Sequence, residues 1–456
     1  MRMRMRMTII HPCIGRRGGD NRYVRTWQME SLPAATVAGL TPKGVEVRFY
    51  DDRMEPIPFD EPTDLVAISV ETYTAKRAYQ IASEYRRRKI PVVMGGFHAS
   101  LVPDEVAKYA ESVVVGEAEN LWEEVIDDAR SRRLRERYTA EGRPLLGKVK
   151  PDRSIFRGKR YLPIGLVEAG RGCHFRCEFC AVQTVFGATQ TRRPLDHILA
   201  EVDAVKKYRK LFFFVDDNIT SNLAQAKEFF RELIQAKVRW VSQASINAAH
   251  DEEFLELLVR SGCMGVLIGF ESLDSDNLKD MNKSFNLMRG GFAKALENLR
   301  KYCIRLYGTF IFGYDRDTPD SFPQTVKFAQ SNSMYIAAFN HLTPFPGTPL
   351  YQRLQANGRL IYDAWWLNDR YRYNDIPFHP AGMTAVDLRR CCVEARRMFY
   401  SWPSIFRRGF DPVNRADGFM WRNFFLINAM HRGDVGMRDG YPLGDESWTG
   451  PLLQAN

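Results

Sequence analysis

Two kinds of stretch alternate along the first 129 residues. Short apolar runs at 8–10, 45–50, 65–70, 92–94 and 112–115 are separated by segments whose apolar positions recur at helical spacing. Those segments lie at 30–40, 75–88 and 121–129, and a further helix closes at 107–110. The 65–70 run is almost wholly apolar, as a strand covered on both faces should be. Strand–helix alternation of this kind predicts a doubly wound, Rossmann-like α/β sheet. Residues 130–160 break the pattern with Gly142, Pro144, Gly147, Pro151 and Gly158 and read as a crossing between domains. The alternation then resumes. Strands are predicted at 164–169, 211–215, 239–245, 265–270, 306–312 and 335–342, with helices at 194–208, 223–236, 251–260, 292–302 and 321–331. Six such units make a curved partial barrel rather than a closed barrel of eight. The last hundred residues change character again. They are crowded with aromatics, and Thr384 is placed to cap a helix over 385–400. The expected domains are therefore 1–145, 146–355 with its linker, and a small helical C-terminal domain, 356–456, covering the open side of the barrel.

Composition changes this picture little. Of 456 residues, 45% are hydrophobic and 26% charged, which fits a globular chain. No run of eighteen apolar residues predicts a membrane span. The basic start, Met1 to Met7, is followed by no apolar core region, so it is not read as a signal peptide and is assigned no function. Eight cysteines in this length are not a disulfide framework, and a reducing cytoplasmic compartment is expected. The net charge of +10 raises nucleic acid as a partner. However, the positive charge is spread over local knots at 86–89, 130–137 and Arg407-Arg408, without a zinc finger or an aromatic RNA-binding signature. Nucleic acid is therefore unexpected, and a solvated face, an anionic metabolite or a membrane surface suits the charge as well.

The chemistry concentrates in Gly172-Cys173-His174-Phe175-Arg176-Cys177-Glu178-Phe179-Cys180, where Cys173, Cys177 and Cys180 stand at C-x3-C-x2-C. Three soft thiolates on one loop suit an iron–sulfur cluster, zinc or Cu(I). Zinc wants a fourth ligand, and His174, wedged between two of the cysteines, would have to fold back to supply it. A four-iron cluster held by three cysteines keeps one iron open to a small molecule. Polar groups also recur at the ends of the predicted barrel strands, where barrel active sites gather. They are Asp216, Asp217, Asn218, Ser245, Asn247, Glu271 and Ser272.

The cysteine stretch, with its aromatic before the last cysteine, resembles the signature of the radical S-adenosylmethionine (SAM) superfamily. The resemblance implies that Cys173, Cys177 and Cys180 hold a [4Fe–4S] cluster whose open iron chelates SAM. One electron, from an external reductant such as flavodoxin or ferredoxin, would cleave SAM to methionine and a 5'-deoxyadenosyl radical that takes hydrogen from a small-molecule substrate. It further implies that Asp216, Asp217 and Asn218 lie near the SAM amino group, with Ser245 at the next strand end. Glu271 and Ser272 would lie near its ribose and methionine portion. Phe312, at the end of Gly308 to Gly313, would belong to an adenine shelf. Phe175 and Phe179 would stand beside the cofactor, and Arg193 would steady a carboxylate.

The first domain resembles the cobalamin-binding domain that precedes many radical SAM barrels, chiefly through the loops Gly95-Gly96-Phe97-His98-Ala99-Ser100-Leu101-Val102-Pro103 and Val115-Gly116-Glu117-Ala118-Glu119. The candidates at its strand ends are Pro12, Ser69, Glu71, Thr72, Gly95, Gly96, His98, Gly116 and Glu117. There is no Asp-x-His-x-x-Gly segment to supply a lower cobalt ligand; Arg53 stands where that histidine would follow Asp51. Either the domain holds cobalamin or it has kept only the fold. The leading expectation is a radical SAM enzyme performing cobalamin-dependent methylation of an unactivated carbon in a small metabolite or lipid. In that reaction one SAM methylates cobalamin and another generates the radical. The alternative is a cyclisation, rearrangement or carbon–heteroatom bond formation that does without cobalamin. Cys391 and Cys392 are weighed as catalytic residues that could quench a substrate radical, against the blander reading of buried inert thiols. Methylthiolation would need a further cysteine trio that Cys13 alone cannot supply, and a zinc-stabilised scaffold would carry neither iron nor sulfide.

Overall fold

The computed structural model describes residues 4–18, 28–437 and 439–454. The first sheet contains β1 (Met5–His11), β2 (Val45–Asp51), β3 (Leu65–Ser69), β4 (Val92–Gly95), β5 (Ser112–Val115) and β6 (Arg137–Thr139). Its order is β2-β1-β3-β4-β5-β6, all parallel. The order reverses at β1, so the crevice outside the carboxyl ends of β1 and β3 is the topological switch point. Two details differ from the expectation. The methionine–arginine repeat enters β1 at Met5, and Met7 is fully buried; Met1 to Met3 lie outside the described residues. The expected crossing contains β6, whose Tyr138 is buried against the sheet. Three residues, two of them exposed and polar, carry too little pattern to announce a strand.

Each face of this sheet has its own core. One face packs Ile9, Ala67, Val93 and Val114 under α1 (Leu32–Leu40) and α2 (Trp122–Arg130). The other packs Ile10, Val66, Ile68 and Met94 under the helix Ala75–Arg87 and, unexpectedly, under Trp365, Trp366 and Tyr371 from the far end of the chain. Trp366 Nε1 donates to Glu105 Oε1 at 2.9 Å and Trp365 Nε1 to the Pro344 carbonyl at 2.9 Å. At about 25 cal/mol per Å² and ~150–250 Å² per ring, each indole contributes about 4–6 kcal/mol before entropy is subtracted. The segment around it is a strap that fixes the first domain against the rest.

The second sheet contains β7 (Ile164–Val167), β8 (Leu211–Phe214), β9 (Arg239–Ala244), β10 (Cys263–Glu271), β11 (Arg305–Phe312) and β12 (Ile336–His341). They pair in parallel in the order β12-β11-β10-β9-β8-β7. Parity along β10 sends Val266, Ile268 and Phe270 outward into the main core and leaves Leu267 and Gly269 facing the barrel interior. The exposed edge of β12 is covered by α3 (Ala385–Phe399) and the residues after it. Tyr400 donates its hydroxyl to the Ala337 carbonyl at 2.9 Å, and Arg396 Nε donates to the Phe339 carbonyl at 3.0 Å.

The C-terminal region divides between two places: Tyr373, Asn374, Val435, Gly436 and Asp439 share a cavity with Tyr307, Ala338 and Asn340 on the interior side of the second sheet. Helices α4 (Trp402–Gly409) and α5 (Gly418–Asp434) pack instead on Tyr335 and Met264, at the amino ends of the strands. Arg408 holds them there. Fully buried, it donates to the Met334 carbonyl at 2.8 Å, the Phe399 carbonyl at 3.1 Å and Asn428 Oδ1 at 3.0 Å, and its guanidinium lies 3.8 Å from the Phe399 ring centre. Arg408→Ala strands these acceptors in the core and should cost about 3–5 kcal/mol. The loss should read as a large drop in the urea midpoint, whereas a change under about 1 kcal/mol would show that Arg408 only fills space.

Candidate active site

The cysteine loop follows β7 and is pinned at its base from two directions. Gly170–Gly172 pairs antiparallel with Gln190–Arg192, which closes the loop as a hairpin. At Gly172 φ is +90°, and a Cβ there would lie 2.1 Å from the Thr189 carbonyl oxygen, so only glycine fits. From the end of β8, Asp216 Oδ1 accepts from the Ala169 N–H at 2.8 Å, and Asp217 Oδ2 accepts from the Gly172 N–H at 2.7 Å. Burial pushes both carboxyls up, Asp216 to about 7, and Asp216 Oδ2 has no hydrogen-bond partner.

Hydrogen-bond donors and one ammonium stand around the three thiols. Asn218 Nδ2 is 3.4 Å from Cys173 Sγ and 2.6 Å from Ser245 Oγ, while its Oδ1 accepts from Thr220. The N–H groups of Val182 and Gln183 point at Cys180, and Lys283 offsets the burial that pushes the Cys177 thiol up to about 12. Glu178 is buried; it accepts from Arg353 Nε at 2.6 Å and from the Tyr314 hydroxyl at 2.9 Å. Glu178 thereby clamps the loop to Tyr314 and Arg353. Free thiols, hydrogen-bond donors to sulfur and a nearby ammonium fit a cluster held by Cys173, Cys177 and Cys180.

Across the interior, Glu271 sits in the left-handed region at φ +62°, bonded to Lys283 Nζ at 2.6 Å; Lys283 also donates to the Gly269 carbonyl at 2.9 Å. A Cβ on Gly269 would fall 2.1 Å from Glu271 Oε1. Phe175 stacks on Phe285 at 3.8 Å between ring centres. The segment carrying Lys283, Phe285 and Asn286 went unnoticed in the sequence because it belongs to no strand end.

A cavity of about 350 Å³ opens where the carboxyl ends of the first sheet face the cysteine loop. Ser69, Glu71, Gly95, Gly96, Gly116 and Glu117 line it from the first sheet. Glu168, Arg171, Val185, Phe186 and Asp217 line it from the barrel. Glu71 is open to this space yet enclosed by protein, and burial raises its carboxyl. Gly96, at φ +101°, would put a Cβ 2.8 Å from the Val70 carbonyl oxygen, so backbone forms the cavity floor there. At the rim, Arg171 pairs with Glu119 at 2.5 Å and Glu168 at 2.7 Å, and Arg143 pairs with Glu117. An apolar hollow with glycine turns suits a large flat macrocycle approached by backbone.

Several expected residues lie elsewhere. His98 is fully buried and bonded to Thr72 Oγ1 at 3.2 Å and Glu105 Oε1 at 3.1 Å, so both His98 and Thr72 serve the core. Pro12 is buried and does not line the cavity. Arg193 gives Nη1 to Glu201 at 2.5 Å and the Glu168 carbonyl at 2.9 Å, and Nη2 to the Val149 carbonyl at 3.2 Å, so both terminal nitrogens are already engaged within the protein. Phe312 stacks outward on Phe322 at 4.0 Å; Thr309 and Ile311 are the interior positions of that strand. Ser272 accepts from the Asp274 N–H at 3.1 Å and shapes a turn, and Phe179 packs half-buried against the main core. Cys391 and Cys392 lie in the core on α3, on the outer side of the sheet, and burial raises both thiols, Cys392 to about 12.

Cys391→Ala and Cys392→Ala should therefore leave iron content and turnover within about twofold of the parent, as an inert buried thiol requires. Cys173→Ala, Cys177→Ala or Cys180→Ala should abolish iron retention. Lys283→Met should lower it, because an ammonium beside two thiols is lost. Asp216 gives a pH test. Its folded carboxyl, near 7, stands above its unfolded value of 3.8, so its contribution is most favourable below about 4 and is lost as pH rises to about 7. Asp216→Asn should gain stability relative to the parent across that window, and a pH-independent difference would contradict the assigned burial.

Against known proteins, residues 167–329 match the model of the Radical SAM superfamily. The chain is 33% identical to the bacteriochlorophyllide d C-12(1)-methyltransferase of Chlorobaculum tepidum, over 87% of each protein. It is 30% identical to the bacteriochlorophyllide d C-8(2)-methyltransferase of the same organism, over 73% of this chain and 78% of that one. Among solved structures it superimposes on the radical S-adenosylmethionine methyltransferase TsrM from Kitasatospora setae, determined with cobalamin and a [4Fe–4S] cluster bound. The TM-score is 0.67 at 16% identity, over 95% of this chain and 100% of that one. With the cysteine loop, the strand-end residues and the two-sheet fold in place, the chain belongs to the radical SAM superfamily and carries a domain of the cobalamin-binding-like fold ahead of its barrel.

Proposed function

We propose that this radical SAM enzyme is a cobalamin-dependent methyltransferase that adds a methyl group to a side-chain carbon of a chlorophyllide-type tetrapyrrole. The observation that carries the reading is the cavity between the strand ends of the first sheet and the cysteine loop. It lies at the carboxyl ends of the first sheet, and Asp217, which bonds the base of the cysteine loop, is part of its wall. A corrin there would stand beside the radical-generating centre. The substrate class rests on the two bacteriochlorophyllide relatives, which share 33% and 30% of aligned residues with the chain.

When bound, the cluster with SAM supplies a carbon radical able to take a substrate hydrogen, and cobalamin supplies a methyl carrier. The chain's own residues do the rest. Cys173, Cys177 and Cys180, on the loop after β7, would hold the cluster. Asn218, fixed by Thr220, orients its amide toward Cys173 and Ser245 together. Glu271 is tethered by Lys283, which keeps one carboxylate at the barrel's interior end without leaving a bare charge. Gly95, Gly96 and Gly116 keep the cavity floor free of side chains, and Phe97 and Phe186, 5.5 Å apart between ring centres, close its side against water. The electron comes from a separate one-electron donor of the flavodoxin or ferredoxin kind, and no nucleic acid takes part.

The test is a single incubation of the reconstituted enzyme with bacteriochlorophyllide d, SAM labelled with deuterium in its methyl group, and a one-electron reductant. A product heavier by one fully deuterated methyl group, with 5'-deoxyadenosine and S-adenosylhomocysteine formed in equal amounts, is expected. Formation of 5'-deoxyadenosine with an unmethylated, ring-closed or rearranged product would replace methylation by the cyclase-type alternative.

A further inference from the structure

The outer face of α4 and α5 is built from the wrong residues for an ordinary solvated surface. Trp402, Phe406 and Phe410 follow one another at four-residue spacing, on one side of the helix and its exit. They are 47%, 51% and 53% exposed. Leu426 on α5 is 60% exposed. The rings are contiguous: Phe406 and Phe410 lie 6.0 Å and 5.9 Å from Phe425. The opposite side of α4 is anchored in the protein through Ser404, Ile405 and Arg408, so this aromatic face is held outward. Scattered exposed apolar residues are normal, whereas a contiguous aromatic patch marks a contact surface.

Arginines outnumber acids between residues 402 and 434. Among the described residues, Arg397, Arg407, Arg415, Arg422 and Arg432 each have no carboxylate within 4 Å, although the Arg432 guanidinium lies 5.4 Å from the Trp402 ring. The two nearby acids are already engaged: Asp411 pairs with Arg300 at 2.9 Å, and Asp417 caps α5 through the Met420 N–H at 2.8 Å. A second copy of the chain would bring the same arginines against themselves, which disfavours a symmetric dimer here. A bilayer carrying anionic headgroups would neutralise them while the rings enter the headgroup–acyl boundary, the arrangement of interfacial helices. No helix among the described residues is long and apolar enough to cross a membrane, so such an association would be peripheral.

We propose that α4 and α5 form a docking face for an anionic lipid bilayer. Docking there would leave the cluster end of the barrel free, because both helices sit at the amino ends of the strands.

The experiment is co-sedimentation of the full-length reconstituted enzyme with vesicles of phosphatidylcholine alone and of phosphatidylcholine with phosphatidylglycerol. Binding to the anionic vesicles, weakened by salt, is expected. The triple variant Trp402→Ser, Phe406→Ser, Phe410→Ser and the triple variant Arg407→Gln, Arg415→Gln, Arg422→Gln should each lower partitioning by about tenfold or more. Iron content should be unchanged, because these side chains lie at the end of the barrel away from the cysteine loop, and the glutamine variant should keep the parent's thermal midpoint. Failure to bind anionic vesicles, or binding that both variants retain, overturns the proposal. So does a dimer that the serine variant converts to monomer while vesicles are ignored, since that would assign the face to a second copy.

Discussion

The whole centre hangs on how the turn after β7 is held. A loop with three thiols has no reason of its own to present them together, because its backbone amides would bond to water as readily as to protein. Here the Ala169 and Gly172 N–H groups are taken by Asp216 and Asp217 from the end of the neighbouring strand, and Gly172 tolerates a backbone conformation and an approach that no side chain could share. The parallel register that sets Val167 beside Phe214 therefore sets the cysteine loop as well. Two buried carboxyls kept protonation-prone by burial are the cost of that placement, and such groups are tolerated where function requires them.

The second consequence of this placement is the belt of charge between the two sheets. Arg171 leaves the hairpin at the loop base and reaches Glu119 of the first domain, and Arg143 joins Glu117 to Thr191 on the same hairpin. These partly buried pairs are weak evidence for stability, since desolvation consumes most of the attraction. What they do supply is registry: the first sheet's strand ends face the cysteine loop at a fixed separation, with the cavity between them. The strap carrying Trp365 and Trp366 supplies the hydrophobic part of that docking from the other face.

Much of this was legible in the sequence, for physical reasons. Cluster ligation is local, so a spacing over eight residues is enough to single out Cys173, Cys177 and Cys180 as candidate ligands. Parallel strands buried on both faces leave nearly continuous apolar runs, and most strands and helices lie within two residues of their expected limits. What failed depended on tertiary contact. Phe312 has the right residue type for a shelf but the wrong parity, since it shares the outward side with Phe310. Arg193 does steady a carboxylate, but that of Glu201. His98 turned inward to Thr72 and Glu105, and Lys283 reaches the site from a segment with no periodicity. The C-terminal aromatics carried no information about their partners, so neither the strap on the first sheet nor the brace at the amino ends of the barrel strands was legible.

The most direct measurement is metal stoichiometry. The chain would be purified without oxygen, reconstituted with iron and sulfide in the presence of hydroxocobalamin, and desalted before iron, sulfide and cobalt are counted. The proposal that the cavity seats a corrin beside a cluster on the three cysteines predicts about four irons and about one cobalt per chain. About four irons with no cobalt retained would contradict it and leave the first domain as a fold that shapes the substrate site alone.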